Sequence, residues 1–586
     1  MSFSARTWTA GIIATALCLP GAAQIESSGL GDVSAWGVSY LDRSEEDFGR
    51  GLWTGSDIGY LLDLMEGIDV TSLSLPEKQL LSRALRAPSS APDTAGSEDK
   101  AFQAARVEAL LALGERRAAA SLADQANVSL DGVNPDIILS DERLVEGERE
   151  VVCAQMNTSG EGRFWSELRA ICALEASRDG VAELAIEIAG QQEGASPWFG
   201  NVGFAVLGEQ EEKPAARYGS GIELALSDLA ELEPDEDSIS EARPDIAARI
   251  ARNDERPLNL RLAAAGIAAR ADMLSPDTHR ELYRAQVSEA GFEPSNDIEA
   301  AFAVLAKEPE PEMLEYDLPS RANGPVDLRS SREDWIGPVR PGDLDENVSE
   351  AGRDDEISLA EEQSLAVSQA LRTVESHDEF AARARLFEAA LEEIPADDDT
   401  AGSAFIFAAA AMETGNISLT DKWLDVTDPE ALEEADRFRF ALLEGYASVF
   451  GGERRDVEPD EFAGTLIEMG VEPAQEAAAL TLFSVWAGLD MPVPASARAA
   501  LARSDRGARR IDAGMLAAIE AAERNGATGE ALLGILSQTN GAPGELSGAD
   551  LSTLLWSLQR MDALRDAKAL ALEAAGLWRL AAQPAG

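Results

Sequence analysis

Histidine and cysteine are the residues best suited to metal, redox or nucleophilic chemistry, and this 586-residue chain has two of the first and three of the second. His279 lies in DTHRELY and His377 in VESHDEF, each near an expected helix start. Neither has a cysteine or a second histidine close by, so the ligand spacing of a zinc site is missing. Both are expected as surface or capping residues. No G-x-S-x-G elbow marks a serine nucleophile, and no glycine-rich phosphate loop occurs. Asp235-Glu236-Asp237 lacks the glycine and terminal glutamate of a calcium loop. Asp397-Asp398-Asp399-Thr400 precedes a helix, where carboxylates suit the positive end of the dipole. Glycosidic cleavage would need a carboxylic acid of raised pKa in a compact lysozyme-like domain, and the pattern of elements offers none. Trp165 and Trp198-Phe199 could line a groove, but aromatics at helical spacing are expected in the core. The chemistry-bearing residues therefore point to no catalytic site, no cofactor and no metal.

The cysteines carry the sharper expectation. Arg6, the apolar run Ala10–Leu19 and the small residues Gly21-Ala22-Ala23 have the order of a secretory signal over 1–23. The run is far short of the roughly 20 residues a spanning helix needs. Cys18 would leave with the signal, and export would place Cys153 and Cys172 where thiols oxidise. A disulfide Cys153–Cys172 is expected. A symmetric hairpin puts Cys153 nearer Trp165, about two helical turns from Cys172, so the alternative is two reduced thiols packed as small hydrophobes.

Composition sets the partners. The net charge is −57 and the pI near 4.3. Nucleic acid and anionic membrane surfaces both need basic patches, so neither is expected as a partner. Hydrophobic residues make up 45%, enough for a sizeable core. Alanine-rich, aromatic-poor stretches without period-two alternation predict an almost wholly α chain.

The elements that would position these residues are helix pairs. In Arg163–Gln191, Phe164, Trp165, Leu168, Ile171, Cys172 and Leu174 share one helical face. Arg178-Asp179-Gly180 breaks the run. Val181, Leu184, Ala185 and Ile188 then start a second apolar face. Such a hairpin needs neighbours of its kind to bury its faces. Phe102–Gln125 turns at Gly114, Phe405–Trp423 turns at Gly415, and the pattern returns between Leu555 and Ala574. Ser74 before Pro76-Glu77 is an N-cap with first-turn chemistry, followed by the stripe Leu80, Leu81, Leu85. Glu233–Ser240 reads as an acidic loop. No regular 34-residue period appears, so the expectation is an all-α fold: an irregular α-solenoid of tetratricopeptide-like helix-turn-helix units in two arrays. After the signal, 24–50 is expected to be loosely ordered, with Trp36 and Tyr40 docking on the body. The arrays cover 51–318 and 356–582, and an acidic Pro/Gly-rich linker covers 319–355.

Several stretches together carry a resemblance: Leu52-Trp53-Thr54-Gly55, Arg106-Val107-Glu108-x-Leu110 ending at Leu113-Gly114, Phe164-Trp165-x-x-Leu168-Arg169-Ala170-x-Cys172, Arg261-Leu262-Ala263-Ala264 and the closing Leu564–Ala575. The chain resembles a family of large, exported, all-helical bacterial proteins of uncharacterised function, some carrying an antifreeze-like label. This chain is more acidic, above all around 329–362. The resemblance implies no activity and no catalytic residues. The functional expectation is a periplasmic or secreted binding or scaffolding module of the cell envelope. Its partner would be another envelope protein, with no membrane insertion after signal cleavage. The alternatives are an envelope enzyme with an unrecognised site or an acidic solvation or stress protein.

Overall fold

The computed structural model describes residues 35–307 and 357–582, except 42, 44, 46–47, 128–133, 157–159, 209–212, 431, 452–458 and 504–507. The expected signal, 1–23, and linker, 319–355, lie outside the described residues. The protein is all-α. No strand forms among the described residues, which hold one isolated bridge between Arg509 and Leu546.

Consecutive helices pack as pairs across short turns. Asp99–Ala112 packs on Arg116–Ala126, Arg163–Glu175 on Asp179–Gly190, and Pro244–Arg252 on Leu258–Arg270. Further along, Ala404–Glu413 packs on Ile417–Asp425, Ala513–Arg524 on Thr528–Thr539, and Gly548–Arg560 on Leu564–Ala575. One turn geometry recurs. A left-handed residue ends the helix, and the next N–H donates to the carbonyl five residues back, closing a Schellman turn. Its left-handed residues are Gly114, Gly147, Ser177, Glu231, Asp272, Gly415, Asp490, Gly526 and Asp562. The closing bonds include Glu115 N to Leu110 O at 2.8 Å, Arg178 N to Ala173 O at 2.8 Å and Ala563 N to Leu558 O at 3.0 Å. Within the runs Gly114–Gly147–Ser177 and Asp490–Gly526–Asp562 the turns follow at roughly 30–36 residues, a helix-pair interval.

Glu233–Ser240 differs from expectation. Asp235 accepts from Ser238 N at 2.8 Å and caps a short helix, Glu236–Ser240. The expected caps at Asp397–Asp399 also differ. Thr400 Oγ1 binds the Pro395 and Asp397 carbonyls, and the chain enters Ala404–Glu413 through a 3₁₀ turn, Ala401–Ser403, with no side-chain cap. Trp36 docks as expected: it is 3% exposed and stacks on Phe102 at 5.2 Å.

The buried apolar side chains form one cluster running from Ala35 to Leu577. The stretches on either side of residues 308–356 are packed together at two places. Leu258–Arg270 and Pro276–Val287 lie on His377–Glu393, and Asp297–Leu305 lies on Leu359–Arg372. An aromatic ladder crosses this contact: His279, Tyr283, Phe302 and Phe387, with successive centroids 5.2, 4.8 and 5.4 Å apart. At the second place, Ile58–Glu66 lies on Thr528–Thr539, and Leu75–Arg86 lies on Thr528–Thr539 and Leu564–Ala575. The chain thus closes on itself.

Candidate functional site

Chemistry-bearing side chains gather at that second contact. Ser74 and Glu77 form a capping box at the start of Leu75–Arg86: Ser74 N donates to Glu77 Oε2 at 2.8 Å, and Glu77 N to Ser74 Oγ at 3.4 Å. The same groups reach across the closure. Ser74 Oγ donates to Glu573 Oε2 at 2.6 Å, Gly541 N to Glu77 Oε2 at 2.8 Å, and Leu75 N to Asp378 Oδ1 at 3.4 Å. Arg83 pairs with Asp566. His377 opens the helix His377–Glu393, and its Nε2 lies 3.0 Å from Glu413 Oε1.

Glu77 is 1% exposed, and its Oε1 has no hydrogen-bond partner among the described residues. Burial pushes the Glu573 carboxyl up to about 8. The Ser74 hydrogen bond opposes the rise, Glu77 and Asp378 add to it, and His377 opposes it. Burial alone would lower His377, but the Glu413 charge and hydrogen bond outweigh burial and lift it to about 9, helped by Glu573 and Asp378. A carboxylic acid and an imidazolium at neutral pH could in principle move protons. A cavity at the Glu77 side of the junction is about 10 Å³, lined by Pro76, Glu77, Leu80, Thr539, Asp566 and Leu570 among others. That is room for about one water.

The surface offers a different feature. In Asp179–Gly190 the alanines face inward: Ala182 is 0% exposed, Ala185 7% and Ala189 2%, with Ile186 at 1%. The larger aliphatics face out, with Val181 at 51%, Leu184 at 57% and Ile188 at 40%. The second apolar face expected from sequence is therefore split, and most of its volume is in solvent. Glu183 and Glu187 are also exposed and run along one edge of this stripe.

The other expectations resolve one by one. His279 is not a surface residue: it is 5% exposed and packs on Tyr283. His377 is not a free surface residue either, since its side chain is 12% exposed and paired. Trp165, Trp198 and Phe199 are buried in the core. Cys153 and Cys172 are joined as a disulfide with Cα atoms 5.5 Å apart. The two helices that carry them therefore do not pair as a symmetric hairpin. The Gly160 carbonyl accepts from Arg169 Nη1 at 2.9 Å, and a Cβ on Gly160 would overlap the Trp165 ring. Arg149–Gln155 packs on Arg163–Glu175, which sets Cys153 beside Cys172. Among the described residues no three His, Cys, Asp or Glu side chains converge as a metal site requires, and no helix is long and apolar enough to cross a membrane.

Sequence reading saw Ser74 and Glu77 only as a cap. It missed Glu573, Glu413 and Asp378, which look like solvated acids in LALEAA, AMETG and SHDEF. No local signal marks them, because their partners lie up to 499 residues away. No family model, curated protein or solved structure matches the chain.

Proposed function

We propose that the protein is an exported α-solenoid that acts as a binding or scaffolding module in the cell envelope. The partner would be another envelope protein. The observation that carries this reading is the reversed helix Asp179–Gly190, with alanines inward and Val181, Leu184 and Ile188 outward. Three large aliphatics at i, i+3 and i+7 are the pattern a partner helix uses as anchors. Contiguous apolar surface rimmed by charge marks interaction sites. The export signal read over 1–23 and the recurring Schellman turns support the address and the solenoid.

Charge narrows the partner. Glu183 and Glu187 rail the stripe, and the whole chain carries −57. A second copy would bring like charges together, whereas a basic amphipathic segment would bury its apolar face on the stripe and pair its cations with the rail. Placing a photocrosslinking amino acid at Leu184 in the native cell tests this. The expected result is one reproducible adduct with a basic envelope protein. That adduct should be missing when the probe is moved to exposed Glu66, and lost in Val181→Asp. Adducts only within the chain, only between copies, or none at all would overturn the reading.

A further inference from the structure

We propose that the closure between Leu75–Arg86 and Leu564–Ala575 is a proton-held clasp. Glu573 keeps it shut while its carboxyl carries a proton, and ionisation of Glu573 beside Glu77 and Asp378 releases it.

The placement of charge at the junction carries this. Four helices supply the ionisable groups that face it: Glu77 and Arg83 from Leu75–Arg86, His377 and Asp378 from His377–Glu393, Glu413 from Ala404–Glu413, and Asp566 and Glu573 from Leu564–Ala575. The cations are already engaged. Arg83 is taken by Asp566, with both side chains little exposed at 13% and 11%, and His377 is taken by Glu413. Glu573 has a serine hydroxyl as its hydrogen-bond partner, with the Glu77 and Asp378 carboxylates and the His377 imidazole as neighbours. It also stands in the last turn of its helix, where the backbone dipole disfavours a negative charge. Burial, the two carboxylates and the dipole favour the neutral acid and outweigh the Ser74 hydrogen bond and His377, which favour the charge. A protonated Glu573 and Ser74 Oγ at 2.6 Å form a hydrogen bond in which either oxygen can donate.

Linkage gives the direction. In the open form Glu573 meets water and titrates as an ordinary carboxyl, near 4.5. In the closed form burial lifts it to about 8. The closed form therefore holds one more proton between those limits. Stability of the closure is full below about 4.5 and declines as pH rises towards 8, by about tenfold in the open-to-closed ratio per pH unit. His377 also acts on Glu573, each charge favouring the other, and Glu573→Gln separates the carboxyl's part of the response from it. Opening would uncover the apolar side chains that line it, Leu80 at 3% and Leu570 at 4% exposed.

Amide hydrogen exchange on the full chain between pH 6 and 9, corrected for the intrinsic pH dependence, tests the clasp. In the wild type, protection of Leu75–Arg86 and Leu564–Ala575 should fall about tenfold per pH unit up to pH 8, while Leu258–Arg270 stays unchanged. Glu573→Gln, a neutral mimic of the protonated acid, should remove the dependence, and Ser74→Ala should keep it. Should Glu573→Gln not fold, the wild type answers alone: a protonated-carboxyl infrared band is expected at pH 7 and lost above pH 9. The same slope in Glu573→Gln as in the wild type, exchange that rises uniformly along the chain, or no protonated-carboxyl band at pH 7 would each overturn the proposal.

Discussion

His279 is where a sequence window and a folded environment part most clearly. DTHRELY reads as a polar helix start, and Ser275 does cap it by accepting from Thr278 N at 3.3 Å. Yet His279 points into the ladder that joins Pro276–Val287 to His377–Glu393 through Tyr283, Phe302 and Phe387. Burial lowers its pKa to about 4 from an ordinary 6.5. The unfolded chain then binds the extra proton between those values, so stability is full above about 6.5 and is lost as pH falls towards 4. The expected loss is about 3 kcal/mol. Urea unfolding of wild type and His279→Phe at pH 7 and pH 4 measures it: the difference in acid sensitivity should be about that size. Equal acid sensitivity of the two proteins would mean that His279 protonates without disturbing the ladder. Cys153 and Cys172 show the opposite case. Their types and expected compartment are legible in the sequence, whereas their approach depends on how Arg149–Gln155 packs on Arg163–Glu175, which periodicity does not encode.

At the scale of elements, turn chemistry decides what could be read. Gly114 and Gly415 mark their turns because glycine enters the left-handed region freely. Ser177, Glu231, Asp272, Asp490 and Asp562 adopt the same conformation with a side chain, so their turns carry no glycine signal. Helical periodicity also finds apolar faces without saying which one is buried. That is why the alanine face of Asp179–Gly190 lies inward while the larger Val181 and Leu184 face out. Two glycines separate packing from propensity. Gly529 N donates to the Leu52 carbonyl at 2.6 Å, and a Cβ there would overlap the Trp53 ring. Gly529→Ala should cost about 1–3 kcal/mol by overpacking. Gly266 sits mid-helix in Leu258–Arg270, with only the Arg270 guanidinium at 4.0 Å from such a Cβ. Gly266→Ala should stabilise by about 0.5–1 kcal/mol through reduced backbone entropy. Thermal melting of both variants checks the pair, and a stabilising Gly529→Ala would contradict the tight contact under Trp53.

At the scale of the molecule, closure is the feature least legible in the sequence. Trp53 meets Gly529 and Ser74 meets Glu573 across most of the chain, and no window of neighbouring residues contains either pair. The expectation of two arrays separated at 319–355 follows composition, because proline, glycine and like charges do break a helical pattern. Composition is silent on whether the stretches either side of a break touch. Here they share the Tyr283–Phe302–Phe387 ladder at one contact and the Ser74–Glu573 junction at the other. Each contact buries large apolar groups: Phe387 and Trp53 are 0% exposed and Phe302 5%. Separating the halves would return these rings to water at both contacts together, at about 1.5–3 kcal/mol for each large side chain. A chain cut at a protease site inserted within 319–355 should therefore stay one particle. The two fragments should co-elute in native size exclusion, melt in one transition, and separate only in denaturant. Native elution as two helical fragments would show that neither contact outweighs the entropy of separation. Elution as one particle above pH 8 after Ser74–Glu573 has opened would assign the remaining hold to the aromatic ladder and the Trp53–Gly529 contact.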